Sequence, residues 1–174
     1  MSFAKNLLKT SVPVAVSAAV GTAVTDPDTR WYKKLEKPEI QPPTAVFPIA
    51  WTALYGTIAV ASAKALTAAE RITHPRPKDP MPTPSEREQT VKRVRGYKRA
   101  LGLNLVLNTG WSALFWQGRN LPLATVEAGL LALSSADLAR RAGQLDRASG
   151  AMLLPYAGWT AFATALTARI DQVN

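Results

Sequence analysis

Two tryptophans, Trp51 and Trp159, each sit inside a long uncharged run, and each belongs to a helical stripe of aromatic or hydrogen-bonding residues. Phe47, Trp51 and Tyr55 recur at i, i+4 and i+8; Asn104, Asn108, Trp111 and Phe115 at i, i+4, i+7 and i+11; Tyr156, Trp159 and Ala163 share a third face. Residues at these spacings lie on one side of an α-helix. Flat rings grip flat apolar molecules, and indole or amide N–H groups orient a carbonyl or carboxylate. Asparagine among apolar residues is costly unless it finds a partner, so its face is expected to point inward. Three such faces at similar depth can converge on a pocket with flat walls and a few polar groups. The same spacing also describes plain core packing, with asparagine joining helices. Periodicity alone leaves both readings open.

Other chemistry has little to work with. There is no cysteine, and the only histidine, His74, lies in a proline-rich loop. A metal site within the helices is therefore not expected, and no cofactor is. A haem iron would need tyrosine or methionine, which tilts any tetrapyrrole towards the metal-free ring. Gly-rich phosphate loops, HExxH and GxSxG are absent. No acid–base or nucleophile–base pair falls in the apolar runs, which argues against hydrolysis.

The elements that must position these residues are read from where charge is missing. The mean hydropathy of −0.02 looks soluble, but charge is segregated. Thr10 to Thr25, Phe47 to Ala63, Ala100 to Gln117 and Ser149 to Ala168 carry none. Runs of about 17 to 20 such residues are long enough to cross hydrocarbon as helix. A fifth segment, Leu121 to Ala139, carries Glu127 and Asp137 and reads as the weakest span. The expected fold is all-α: an integral membrane bundle of five transmembrane helices, one domain over residues 1–174. Helices are expected at 5–25, 45–69, 85–117, 121–141 and 147–171. The N-terminal run mimics a signal peptide, with Lys5 and Lys9 ahead of an apolar stretch; it is expected to be retained as the first helix. Residues 72–84 hold five prolines and read as an extended polar linker. Ser85 with Glu88 matches a capping box, and Glu88 with Lys92 an i,i+4 ion pair.

The formal charge of +9 follows this layout. With five spans, fourteen Lys/Arg fall on the side of the N-terminus and six on the other. The asymmetry orients the chain with the N-terminus cytoplasmic and the C-terminus outside. Topology and contact with anionic lipid account for the basic surplus, and nucleic acid is not an expected partner.

The motifs are more specific than the stripes. The first loop and second helix read W-Y-x-x-L-x-K-P-x-x-x-P-P-x-x-x-F-P-x-x-W-x-x-L-Y from Trp31 to Tyr55. The third helix has L-N-x-x-W-S-x-x-F from Leu107 to Phe115. The fifth has P-Y-x-x-W-x-x-F-A-T-x-L from Pro155 to Leu166. Together they resemble the TspO/translocator protein family, also called tryptophan-rich sensory proteins or peripheral benzodiazepine receptors, over nearly the whole chain. The resemblance implies a five-helix bundle in a bacterial cell membrane, often a homodimer, with a ligand cavity lidded by the first loop. It implies binding of porphyrins such as protoporphyrin IX and of similar flat ligands by a receptor or carrier with a stress-sensing or regulatory role. The alternative it offers is an enzyme degrading protoporphyrin IX in light and oxygen through two pocket tryptophans. By motif these are Trp51 and Trp159. The matching ligand-binding positions are Tyr32, Pro42, Phe47, Trp51, Tyr55, Asn108, Trp111, Trp159 and Ala163. An electron-rich indole stacked on an excited macrocycle can act as its redox partner, and Asn108 could donate to a ligand carbonyl or carboxylate. The chain departs from the family pattern at Thr167, where asparagine is usual, in its longer 72–84 linker, and in LTARIDQVN, which lacks the tyrosine of the sterol pattern. Trp116 falls one position off the Asn108–Phe115 face and reads as an interfacial anchor.

Overall fold

The computed structural model describes residues 2–77 and 79–174. Among them there is no strand. Five long helices, α1 (Phe3–Val24), α3 (Val46–Thr73), α4 (Pro84–Ser112), α5 (Leu121–Leu145) and α7 (Leu154–Val173), are joined by two short ones, α2 (Arg30–Lys34) and α6 (Arg147–Met152).

The helices are turned outward for lipid. On α1 the buried residues are Asn6, Thr10, Val14, Ser17 and Gly21, a stripe of small and polar side chains. Leu8, Val12, Val16 and Val20 on the other face are exposed. Small inward residues let backbones approach, and their hydroxyls join helices. The Thr10 hydroxyl donates to the Ala59 carbonyl at 2.9 Å, and that of Ser17 to Leu105 at 3.2 Å. On α7, Thr164 donates to the Ala128 carbonyl of α5 at 2.9 Å. In α5, Leu123, Val126, Leu130 and Leu133 face out while Ala124, Ala128, Ser135 and Ala142 face in. An apolar exterior around a small, polar interior is stable only with hydrocarbon as solvent.

Among the described residues, three helices are long and apolar enough to cross a membrane: Phe3–Val24, Val46–Thr73 and Leu121–Leu145. The segment expected to be weakest is thus among the strongest. The expectation judged runs by missing charge. Ala100–Gln117 and Ser149–Ala168 are uncharged but spend positions on Asn, Thr, Gly, Trp and Tyr, whereas α5 offsets its two acids with alanine and leucine.

Local chemistry sets several boundaries away from their expected places. Thr29 caps α2 inside the proline-rich loop, its hydroxyl accepting from the Tyr32 amide at 3.3 Å. At the start of α4 the capping box is Thr83 with Glu86, not Ser85 with Glu88. Pro84 takes the first helical position, where no amide is needed, and shifts the cap by two residues. Glu88 instead pairs with Lys92 at 2.6 Å. The last helix is broken at Leu153, ahead of Pro155, into α6 and α7. Asp146 caps α6 by accepting from the Ser149 amide at 2.9 Å. Hydrogen bonds from Ser149 hold its carboxyl below the usual carboxylate range.

After Ser112, α4 widens into one π-helical turn, Ala113–Gln117, in which the Gly118 amide reaches the Ala113 carbonyl at 2.9 Å. The turn closes through Gly118, where an added Cβ would lie 2.9 Å from the Leu114 carbonyl oxygen, and through Arg119, at φ 50°.

A candidate ligand cavity lined by tryptophan

A cavity of about 770 Å³ opens where α1 ends, α3 begins, and α4 and α7 end. Its size fits the range for small-molecule sites. Eight of the nine motif-matched positions line it: Tyr32, Phe47, Trp51, Tyr55, Asn108, Trp111, Trp159 and Ala163. Pro42 does not; its loop contributes Gln41 and Thr44 instead.

Each wall is a ring cluster. On one side Trp51 packs against Tyr55 at 5.7 Å and edge-on against Trp159 at 6.5 Å and 89°. Phe47 meets Trp159 at 6.1 Å. On the other, Trp111 stacks on Phe115 at 5.3 Å, and Phe115 meets Trp116 at 5.1 Å. Tyr32 closes the loop side, 4.7 Å from the Trp116 ring, with the Lys37 ammonium 4.7 Å from its own ring. Burial pushes the Tyr32 phenol above its ordinary pKa, so it stays neutral; its oxygen accepts weakly from Gln41 at 3.4 Å.

Trp116 is a correction. It was expected to anchor at the interface, yet it lines the cavity. The π turn inserts one residue into the helical phase and rotates Trp116 inward. A regular 3.6-residue period cannot reveal that.

Asn108 is a second surprise. Its Oδ1 accepts from the Tyr55 hydroxyl at 2.6 Å, and its Nδ2 donates to the Tyr156 hydroxyl at 3.2 Å. Tyr156 donates to Asn104 Oδ1 at 2.8 Å, and Asn104 donates to the Ser135 hydroxyl at 3.0 Å. Ser135 then donates to the Leu131 carbonyl at 2.8 Å. The chain runs one way, from the cavity floor into the bundle, every hydroxyl spending its proton on the next acceptor. Asn108 therefore meets the cavity with one acceptor position and one N–H already used, and serves as an interhelical connection as well as a lining residue.

The polar atoms left over lie elsewhere on the wall. Trp111 Nε1, Trp159 Nε1 and Gln41 Oε1 are buried without a partner. Buried donors and acceptors normally find partners, so two indole N–H groups and one amide oxygen suit a ligand that brings them. Thr167 also lines the cavity, its hydroxyl donating back to the Ala163 carbonyl at 2.8 Å. Outside the cavity, Glu127 is buried beside Gly110, its Oε1 3.4 Å from where a Cβ would sit, with no hydrogen-bond partner among the described residues.

Residues 10–173 match the model of the TspO/MBR family. The chain belongs to this family. It is 29% identical over 175 residues to the tryptophan-rich protein TspO of Chlorobaculum tepidum, covering 98% of each chain. It is 26% identical to the tryptophan-rich sensory protein of Cereibacter sphaeroides, over 97% of this chain and 91% of that one. To the translocator protein of Ovis aries it is 27% identical, over 83% and 75%. With its apolar helices, this places the TspO/MBR-family chain among membrane proteins. Gln41, Trp116 and the α1 residues Ala18 and Gly21 join the motif-matched positions on the wall. Their only sequence signals are proximity to the proline motif, for Gln41, and a stripe of small residues, for α1.

Proposed function

We propose that the chain is a membrane receptor or carrier for flat, hydrophobic, acceptor-bearing ligands, with protoporphyrin IX as the representative. One observation carries the reading: a cavity of about 770 Å³ with tryptophans 51, 111, 116 and 159 on its walls and two indole N–H groups unpaired. Rings stack on a macrocycle from both sides, and the N–H groups, after small rotations, reach a carboxylate or carbonyl. In this reading the five long helices all cross a bacterial cell membrane, N-terminus inside and C-terminus outside, and the exposed apolar faces meet lipid or a second copy in a homodimer. The names of the relatives, sensory protein and translocator protein, are consistent with a receptor or carrier.

A second reading keeps the same pocket and adds chemistry. Trp51 and Trp159 stand perpendicular at 6.5 Å on one wall. A macrocycle between the walls would touch an electron-rich indole; light-excited porphyrin can take one electron from it, leaving an indole radical cation, and pass that electron to dioxygen to give superoxide. Tryptophan fluorescence quenching by added protoporphyrin tests the first reading; saturable quenching is expected, and quenching that never saturates would refute it. For the second, Trp51→Phe and Trp159→Phe should bind within about threefold, under about 0.7 kcal/mol. Absorbance decay under light and air should fall about tenfold, or 1.4 kcal/mol of barrier, since phenyl is harder to oxidise than indole. Trp31, which does not line the cavity, is the control. Unchanged decay in both variants would remove these residues from any photochemistry.

A further inference from the structure

At the opposite end of the bundle a second recess, of about 520 Å³, lies between α1, α3 and α4. No tryptophan, tyrosine or phenylalanine lines it, so it offers nothing to a macrocycle. Its floor is aliphatic: Pro13 of α1, Leu66 of α3, and Leu101 and Leu105 of α4. Its mouth is polar: Asn6, Lys9, Glu70, His74 and Lys98. Two of the helices, α1 and α3, keep this gradient from polar to aliphatic, and on α4 Val91 and Val94 also line the recess ahead of Lys98. Asn6 and Lys9 precede Pro13 near the start of α1, Lys98 precedes Leu101 on α4, and Glu70 and His74 follow Leu66 at the end of α3. From Lys98 to Leu105 the floor runs about 10 Å at 1.5 Å per residue.

Charge and opening direction narrow the occupant. Two lysines face one glutamate, whose Oε2 accepts from Asn6 Nδ2 at 3.0 Å. Lys98 makes no ion pair with the described residues. The wall is open at Gly102, where an added Cβ would meet nothing within 4 Å. Next to that opening, Leu103 and Val106 are exposed on the lipid-facing side of α4. The recess thus joins the acyl region sideways and carries ammonium groups at Lys9, near the start of α1, and at Lys98, midway along α4. Basic pockets between membrane helices hold anionic head groups, and lysine binds phosphate as a point charge.

We propose that this recess is a seat for an anionic phospholipid, with its phosphate at Lys9 and Lys98 and an acyl chain along Leu66, Leu101 and Leu105. The proposal rests only on the chain lying in a membrane, not on what the aromatic cavity binds. The site takes a tailed anion, so neither a zwitterionic lipid nor free phosphate should replace it.

The test uses the full chain, purified and delipidated in detergent, with thermal melting and native mass spectrometry as readouts. Dioleoylphosphatidylglycerol should raise the melting temperature saturably and remain bound. Dioleoylphosphatidylcholine and inorganic phosphate should do neither. Lys98→Gln removes the unpaired ammonium, and Gly102→Leu places a side chain at the opening, where its Cβ meets nothing within 4 Å. Each should weaken phosphatidylglycerol at least tenfold while leaving the lipid-free melt within a few degrees. Gly102→Leu alters no charge, so its effect separates a built seat from diffuse attraction. Equal binding of the two lipids by the unaltered chain overturns the proposal whatever the variants do. Saturation by phosphate alone, or unchanged lipid affinity in Gly102→Leu, also overturns it. Protoporphyrin quenching in the same samples should not change, so failure here and failure of the porphyrin reading are distinguishable.

Discussion

The two ends of the bundle solve the same problem in opposite ways. At the aromatic end, ring clusters hold the helices apart around a cavity of about 770 Å³. At the basic end, α5 and α6 come into backbone contact. A Cβ added at Gly150 would lie 2.6 Å from Gly143 Cα and 2.8 Å from its nitrogen. Between them sits the chain of hydroxyls and amides from Tyr55 to Ser135. A membrane bundle has little hydrophobic drive between its helices. Here close glycine contact joins α5 to α6 at one end, beside the α1–α3–α4 recess, and a buried polar chain ties the middle, so the larger void at the other end need not hold the bundle together. The cavity is affordable because rigidity is supplied elsewhere.

The comparison is most easily broken at the basic end. Gly150→Ala places a methyl against backbone that has no side-chain rotor to yield. The expected loss is about 3 kcal/mol, the upper part of the overpacking range, seen as a large fall in melting temperature or in folded yield. Porphyrin affinity of the molecules that remain folded should be unchanged. A near-neutral Gly150→Ala would mean the helices part easily, and that this end is not the anchor.

The polar chain gives a smaller, more discriminating effect. Asn104→Ala leaves the buried Tyr156 O–H, and Asn108→Ala the Tyr55 O–H, without its acceptor, a loss of about 1–3 kcal/mol. Asn104 does not line the cavity and Asn108 does. Both variants should lower the ligand-free melting temperature to a similar degree. Porphyrin affinity should fall, if at all, only in Asn108→Ala, by less than the stability loss. Should Asn108→Ala lose affinity without losing stability, the amide would be a direct ligand contact rather than a connector.

Much of this was legible because membrane helices write their periods plainly. The stripe Phe47–Trp51–Tyr55, with Trp159 and Ala163 of the third stripe and Tyr32 of the loop motif, does lie on one cavity, while Tyr156 is buried behind it. What the sequence hid was phase and competition. Trp116 faces the cavity only because a π turn adds a residue to the count. Sequence also could not say that Asn108, while lining the cavity, is bonded to both Tyr55 and Tyr156. Leu121–Leu145 looked weak because two acids are conspicuous, while the apolar content that outweighs them is spread along the helix. Nothing local in the sequence announces the recess at the basic end, since its residues come from three helices and are individually ordinary.

The smallest effect belongs to the outer end of α4, beyond both recesses. Thr83 accepts from the Glu86 amide at 3.2 Å, and Glu86 accepts from the Thr83 amide at 2.7 Å. Thr83→Ala should cost about 1 kcal/mol of local helix stability, as N-cap removal does, without moving either cavity. Amide hydrogen exchange should therefore quicken over residues 84–90, relative to intrinsic rates, while the global melt barely shifts. The box is also pH-sensitive, with a definite sign. The Thr83 amide, then its hydroxyl, lower the Glu86 pKa in the folded state. A carboxyl depressed on folding adds stability above its unfolded pKa and loses it as pH falls through the folded value. Protection at the start of α4 should accordingly be full at neutral pH and decline below about pH 4, the ordinary range for glutamate, in the unaltered chain. Glu86→Gln, which does not titrate, should remove that decline. A pH-dependence that survives in Glu86→Gln would place the titrating group elsewhere, with the exposed Glu88–Lys92 pair, at 2.6 Å, the nearest alternative.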